Sequence, residues 1–137
     1  MQIHQKLYQK KPIPKTPKNY LNSYKFGQYS EKFVMIFLWL KGYKILKNRF
    51  KSYLGEIDII AFKKNQIIFI EVKARKYKTN QEKILSNSQI LRIKKSAEFF
   101  ISKNSNLKKY KWRFDFIEVA PMFLFFLKIK HRINFIS

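Results

Sequence analysis

The stretch GEIDIIAFKKNQIIFIEVKAR, residues 55–75, decides the fold of this chain. It contains two apolar runs, 55–62 and 66–75, which have the length and β-branched content typical of strands. A short polar link joins them, so we predict an antiparallel hairpin. A loop of two residues, 64–65, or of four, 63–66, gives the same pairing register, whereas an odd loop length would shift it by one residue.

In that register Asp58 lies directly opposite Glu71, and Glu56 lies opposite Lys73. Opposed side chains on one face have Cβ atoms roughly 4.5–5.5 Å apart, and like charges there are destabilising. A hard divalent cation such as Mg²⁺, which takes oxygen ligands, would explain two carboxylates in that position. Asp58 and Glu71 would bind the metal, the backbone carbonyl of Val72 would add an oxygen ligand, and Lys73 would position a metal-bound water or help to deprotonate it.

A simpler interpretation remains open for these acids. They can be charges on the solvated face of a hairpin, each paired with one of the many lysines, because short acidic patterns are common. The apolar residues around Asp58 and Glu71 favour the metal site, since they indicate central strands. Carboxylates in central strands are costly unless they are paired or metal-bound.

The net charge of the chain points to polyanionic partners. The chain has 30 Lys and Arg against 8 Asp and Glu, a formal charge of +22 and a pI near 10.2. Part of this basicity reflects the Lys, Ile and Asn usage of an AT-rich genome, but the field attracts polyanions whatever its origin. Nucleic acid is the first candidate partner and an anionic membrane surface the second.

Several classes of site and location are excluded or disfavoured. The chain has no cysteine, which rules out disulfides, thiolate metal sites and a cysteine nucleophile. Its longest apolar run, 33–40, is far short of the roughly 20 residues of a spanning helix, and the N-terminus lacks a signal-peptide layout. We therefore expect a cytoplasmic protein.

The rest of the chain predicts one α/β domain over 25–137, preceded by a flexible basic arm over 1–24. Apolar periodicity and turn residues predict the remaining elements: a helix from about Asn22 to Lys41 stopped by Gly42, a strand over 43–50, a loop over 76–87, a helix over 88–102 and strands over 112–119 and 122–136. Arg113 and Asp115 alternate with phenylalanines on one of these strands, which favours a salt bridge over catalysis.

Several segments, taken together and in order, resemble a known family. They are G-x-x-S-E (27–31), L-x-x-K-G-Y-K-I-L-K-N-R (38–49), G-E-I-D-I-I-A (55–61), I-F-I-E-V-K-A-R (68–75) and R-F-D-F-I-E-V (113–119). With them the chain, over roughly 24–120 and more weakly over the tail with K-I-K-H-R-I-N-F (128–135), is similar to the YraN family of small bacterial proteins. That family is largely uncharacterised and belongs to the PD-(D/E)xK nuclease superfamily, with the RecB and Holliday-junction-resolvase type nucleases.

This resemblance implies a restriction-endonuclease-like fold, with a central mixed sheet flanked by helices. It also implies residue roles: Asp58 matches the metal-binding Asp, Glu71 and Lys73 match the (D/E)xK element, and Glu31 matches an acid that the first helix brings to the site. The cofactor would be Mg²⁺ or Mn²⁺, and the substrate a branched or damaged DNA by analogy only.

Expected nucleic-acid contacts lie at the end of the 66–75 strand, with Arg75, and on the 88–102 helix, with Gln89, Lys94 and Lys95. The family often has a basic residue where Gln89 stands, and it usually has Gly where Ser30 stands and Ala where Val34 stands. These departures affect substrate contacts more than the metal ligands.

Two other functions remain as alternatives, a non-cleaving nucleic-acid-binding module on the same fold and a peripheral protein on an anionic membrane. A pure binding module has no need for opposed carboxylates near a phosphate, which favours the nuclease. A homodimer would suit a cut in both strands of a duplex.

Overall fold

The computed structural model of this protein describes residues 17–75, 85–123 and 126–136. Its elements are α1 (Pro17–Leu40), β1 (Lys44–Ser52), β2 (Gly55–Lys63), β3 (Gln66–Ala74), α2 (Asn87–Lys103), a 3₁₀ turn (Ser105–Leu107), β4 (Lys111–Phe123) and β5 (Phe126–Ile136). Within these residues no helix is both long and apolar enough to span a bilayer.

The five strands form one mixed sheet in the order β1-β2-β3-β4-β5. Three of the four strand pairs are antiparallel, and β3 and β4 are parallel because α2 carries the chain back between them. The prediction of an α/β domain with a mixed sheet flanked by helices is confirmed at this level.

The predicted boundaries differ from the observed ones mainly at the ends of elements. α1 starts at Pro17 rather than near Asn22, so it includes the end of the segment predicted as an arm; residues 1–16 lie outside the described part. Proline suits the first helical turn, because its φ is pre-set and its missing N–H would have no partner there. Most of the predicted 76–87 loop also lies outside the described residues.

The end of α1 is where the sequence predicts it. Gly42 has a φ of 79°, which glycine adopts without steric cost. Its N–H donates to the carbonyl of Trp39 at 2.9 Å, and the N–H of Tyr43 donates to the carbonyl of Leu38 at 3.0 Å. This pair of bonds is the Schellman motif, which satisfies the last carbonyls of the helix and turns the chain into β1.

The β2–β3 hairpin turns through two residues, Lys64 and Asn65, with φ of 48° and 58°. Positive φ at both positions is the type I′ turn, whose twist matches that of the flanking strands. The strands pair from Lys63–Gln66 to Ile59–Ile70 in the register that the sequence predicts.

Each face of the sheet packs against one helix. On one side α1 contributes Val34 and Leu38 to a buried cluster with residues of β2, β3 and β4. On the other side α2 contributes Ala97, Phe100 and Ile101 to a second cluster over β2 and β3. The two helices therefore bury both faces of the middle of the sheet.

Candidate metal and nucleic-acid site

The sheet opens at Asp58. The β2–β3 ladder ends at the Ile59–Ile70 pair, so the next step along its register sets Asp58 opposite Glu71. The β1–β2 ladder also omits Asp58. Its register puts Arg49 across from Asp58, and Arg49 has a left-handed backbone with φ of 51°. A non-glycine residue in that region costs free energy and commonly marks a functional position.

The Asp58 carboxylate lies between β2 and β3. Its Oδ2 accepts the backbone N–H of Val72 at 2.7 Å, in place of a strand-to-strand bond. The N–H and C=O of one strand residue point the same way, so the Val72 carbonyl is directed toward the same gap. Asp58 and the carbonyl predicted as a metal ligand are therefore on the same side of β3.

Glu71 and Lys73 follow one another on the α2 face of β3. The Lys73 ammonium lies 3.2 Å from a carboxylate oxygen of Glu71, and their side chains are 36% and 16% exposed. The lysine is thus close to the acid pair and still accessible to a ligand from solvent.

The environment raises the pKa of Asp58 to about 7. Burial of the carboxyl is the largest cause and the negative charge of Glu71 is the next; Glu31 adds a smaller effect of the same sign. The hydrogen bond from Val72 and the charge of Lys73 act in the opposite direction without cancelling this rise. Burial and the charge of Glu71 therefore both disfavour the ionised Asp58 carboxylate, and a cation bound there would stabilise it.

Glu31 is close to the acid pair but is bound to another residue. Both of its carboxylate oxygens accept bonds from Arg49, at 2.7 and 3.3 Å. These hydrogen bonds, and then the charge of Glu31, raise the pKa of Arg49 above its usual value. Across the described residues, no three His, Cys, Asp or Glu side chains are grouped so that together they could hold a metal ion. The site therefore offers two carboxylates and a carbonyl, with Glu31 nearby but bound to Arg49.

A cleft of about 290 Å³ lies beside Glu71, between the sheet and the start of α2. It is lined by Gly55, Glu56, Glu71, Gln89, Arg92 and Ile93. A Cβ on Gly55 would lie 3.1 Å from Ser96 Oγ and 3.3 Å from Arg92 Cβ. Glycine at this position therefore lets α2 approach β2 closely, which brings the start of the helix to the acid pair.

Gln89 has two roles at the start of α2. Its side-chain oxygen Oε1 accepts the backbone N–H of Ser86, while its backbone N–H donates to the Ser86 hydroxyl. These two bonds form a capping box that fixes the first turn. The side-chain amide nitrogen takes no part in these bonds, and Gln89 lines the cleft. Arg92 lies one turn further along and lines it too, which the sequence analysis missed although the three-residue spacing puts both on one helix face.

The other predicted contacts lie in different places. Arg75 forms an ion pair with Glu118 at 3.4 Å. Lys95 lines a separate depression with Leu54, Glu98, Phe99 and Ser102, so it is not part of the Glu71 cleft. Lys94 is half-buried on α2 and does not line that cleft either. Lys94 and Lys95 thus lie apart from the cleft that Gln89 lines, and their contact with nucleic acid stays a prediction.

Glu56 does not pair with Lys73 as the hairpin register suggests. It contacts Lys51 of β1 at 3.1 Å, and both side chains are more than half exposed. The β2–β3 ladder has already opened at this end, so the partner across β1–β2 is nearer.

A second carboxylate, Asp115, is fully surrounded by donors. Arg113 donates to both of its oxygens at 3.0 and 3.1 Å, His131 contacts one at 2.9 Å, and the N–H of Asn134 donates to the other at 2.9 Å. Burial alone would raise its pKa, but these bonds outweigh burial and lower it. The predicted Arg113–Asp115 salt bridge is confirmed within β4, and the bonds from His131 and Asn134 join Asp115 to β5.

Comparison with known proteins matches most of this chain. A sequence model of "Uncharacterised protein family UPF0102" matches residues 30–119, a range that contains every predicted catalytic residue. A UPF0102 protein of Caldanaerobacter subterraneus is 41% identical over 83% of this chain and 96% of its own length. Another, of Caldicellulosiruptor bescii, is 40% identical over 72% of this chain and 85% of its own length.

Proposed function

The chain belongs to the uncharacterised protein family UPF0102, the YraN family of the resemblance, and from the geometry of its site we propose that it is a Mg²⁺-dependent nuclease that hydrolyses DNA phosphodiester bonds. The observation that carries the proposal is geometric. Asp58 faces Glu71 at a gap in the sheet, and the Lys73 ammonium lies 3.2 Å from Glu71. The order Asp, Glu-x-Lys on two adjacent strands is that of the PD-(D/E)xK nucleases, so we also assign the restriction-endonuclease-like fold.

The residues present suit Mg²⁺ better than a cation that needs many protein ligands. Mg²⁺ keeps several waters and is commonly bound by one or two carboxylates together with substrate phosphates. Asp58 and Glu71 would supply the carboxylates and Val72 its carbonyl, and Mn²⁺ would fit the same oxygen ligands. When bound, the ion would lower the pKa of a coordinated water and offset charge on the phosphate.

The protein's own groups would complete the reaction. Lys73, held beside Glu71, would orient the attacking water and stabilise negative charge that develops on the phosphate. Gln89 and Arg92 would hold the substrate from the opposite wall of the cleft, with Arg92 suited to a phosphate through its planar fork of donors. Glu31 would reach a metal-bound water only if it left Arg49.

A non-cleaving nucleic-acid-binding module is the second candidate, and one observation favours it. Both oxygens of Glu31 are engaged by Arg49, so the first-helix acid is not directed at the acid pair. The basic charge of the chain would serve either function, because phosphate neutralisation supplies affinity without cutting.

The test is metal-dependent cleavage of labelled duplex, single-stranded and branched DNA. We expect wild-type protein to cut at least one substrate in Mg²⁺ or Mn²⁺, and Asp58→Asn to lose roughly 10³-fold or more of that rate, because the metal-stabilised charge is worth several kcal/mol. Glu98→Gln, the same change on an exposed α2 acid away from the cleft, should cut normally. DNA binding without cutting by the wild type would leave the binding module as the function.

A further inference from the structure

Basic side chains lie beside the acid pair at the end of β3 and two strands away on β5. Lys73 and Arg75 lie at the end of β3, and Lys128, Lys130 and Arg132 lie on β5, the edge strand. We call these five residues the basic strip. Three of its members lie beyond residue 119, outside the segment that the family model matches.

The alternation of β5 fixes the face on which the strip lies. Leu127 and Ile129 pack against the α1 cluster, and the His131 ring contacts Phe37 of α1. Side chains alternate along a strand, so the residues between them point to the opposite face. Lys128, Lys130 and Arg132 therefore face the same side as Glu71, and the two lysines are exposed.

The strand register places the strip in line with the site. Glu71 of β3 pairs with Phe116 of β4, which pairs with Arg132 of β5. Since adjacent strands are about 4.8 Å apart, β5 runs roughly 10 Å from β3, which carries Glu71, and roughly 14 Å from β2, which carries Asp58.

The next row in the same direction has the same construction. Lys73 pairs with Glu118, which pairs with Lys130. Cations therefore stand two strands away from both Glu71 and Lys73, on the side of the site opposite to β1.

Glu118 fixes two members of the strip. One of its oxygens lies 3.4 Å from Arg75 and the other 3.4 Å from Arg132. Partly exposed ion pairs of this kind add at most about 1 kcal/mol to stability, so they are not needed to hold the sheet together. Their effect is to set two guanidinium groups on either side of one carboxylate, where they outnumber it in charge.

We propose that the basic strip binds the phosphodiester backbone of a DNA strand. The phosphate at Asp58 and Glu71 would belong to the same strand and be next to those that the strip binds. The inference rests on the nucleic-acid part of the proposed function. Guanidinium groups bind phosphate oxygens through paired N–H donors, and lysines add charge without sequence preference. The strip would set the position of the backbone relative to the acid pair, and β5 would be a substrate-binding strand rather than only an edge strand.

The experiment measures DNA binding in EDTA, where no cutting occurs. Lys130→Ala with Arg132→Ala is compared with Lys103→Ala with Lys108→Ala, which removes the same charge at the last residue of α2 and just after the following 3₁₀ turn. Each lost phosphate contact lowers the slope of log K against log salt by about 0.9. We expect a fall of about 2 in the strip variant and of less than 1 in the control, and full binding by Lys130→Arg with Arg132→Lys.

Equal losses in the two double variants, or no loss in the strip variant, would overturn the inference. So would a strip variant that keeps DNA binding but loses binding to phosphatidylserine vesicles, which would make the strip a membrane contact. Cleavage by the wild type in Mg²⁺ is scored separately. Failure to cut counts against the nuclease, while the salt slope in EDTA decides the strip.

Discussion

Asp58 and Asp115 are aspartates of one sheet with pKa values shifted in opposite directions. Asp115 accepts bonds from Arg113, His131 and the N–H of Asn134, and its pKa is lowered. Asp58 accepts one backbone N–H and faces Glu71, and its pKa is raised to about 7. Burial disfavours the charge in both, so the number of donors around each carboxylate decides the sign.

Asp115 is therefore a structural carboxylate, whereas Asp58 is one that can take a ligand. Around Asp115 the protein supplies a full set of donors, which joins β4 to β5 and leaves little for a ligand to add. Around Asp58 the protein supplies fewer hydrogen-bond donors than the ionised carboxylate needs. At this point the β2–β3 ladder ends and the β1–β2 ladder omits one pair. The ionised Asp58 carboxylate is unfavourable in the isolated protein. A bound cation would relieve that cost, and the relief would add to the affinity for the cation.

The largest effect that distinguishes the two is on folding. Asp115→Asn should lower the free energy of unfolding by roughly 3–5 kcal/mol, because it leaves the half-buried Arg113 without its charged partner. Asp58→Asn should leave the free energy unchanged or raise it at pH 8, because it removes an uncompensated charge. Urea unfolding of both variants in EDTA measures this difference, and similar losses in the two would undo the comparison.

The pH dependence of stability is the next effect in size. The pKa of Asp58 is raised in the folded state from its ordinary 3.8 to about 7, so between about pH 4 and 7 the folded protein binds more protons than the unfolded chain. Stability due to this group therefore decreases as pH rises through that window, by roughly 2–4 kcal/mol.

Asp58→Asn should remove this decrease. The difference in unfolding free energy between the variant and the wild type, measured in urea and EDTA from pH 4.5 to 8, should grow with pH. A difference that stays constant across the window would show that Asp58 titrates normally. Asp115, with its lowered pKa, contributes the opposite trend, which appears only below about pH 4.

The smallest effect concerns Glu31. Because both of its oxygens are held by Arg49, we expect Glu31→Gln to reduce the cleavage rate by about tenfold or less, which is about 1.4 kcal/mol. Asp58→Asn in the same assay supplies the reference loss. A loss in Glu31→Gln as large as that of Asp58→Asn would show that Glu31 leaves Arg49 and acts at the metal.

Local features of the site were predictable from the sequence. The apolar runs and the two-residue link determined the β2–β3 register, and that register sets Asp58 opposite Glu71. The Arg113–Asp115 pair was predictable because residues two apart on a strand share a face.

Features that join distant segments were not predictable. Lys51 reaches Glu56 through the β1–β2 register, which shifts at an irregularity between Ile45 and Lys47 that no turn residue signals. The contact between His131 and Asp115 depends on how β5 returns along β4. Such contacts are set by the packing of the whole sheet rather than by the pattern of one segment.

The most direct test of the central claim is calorimetric titration of Mg²⁺ into wild-type protein and Asp58→Asn at pH 8, where Asp58 is ionised. We predict binding to the wild type and at least a tenfold weaker affinity in Asp58→Asn, with the affinity of Glu98→Gln unchanged. Equal affinity in wild type and Asp58→Asn, or no Mg²⁺ binding by the wild type with or without DNA, would contradict it.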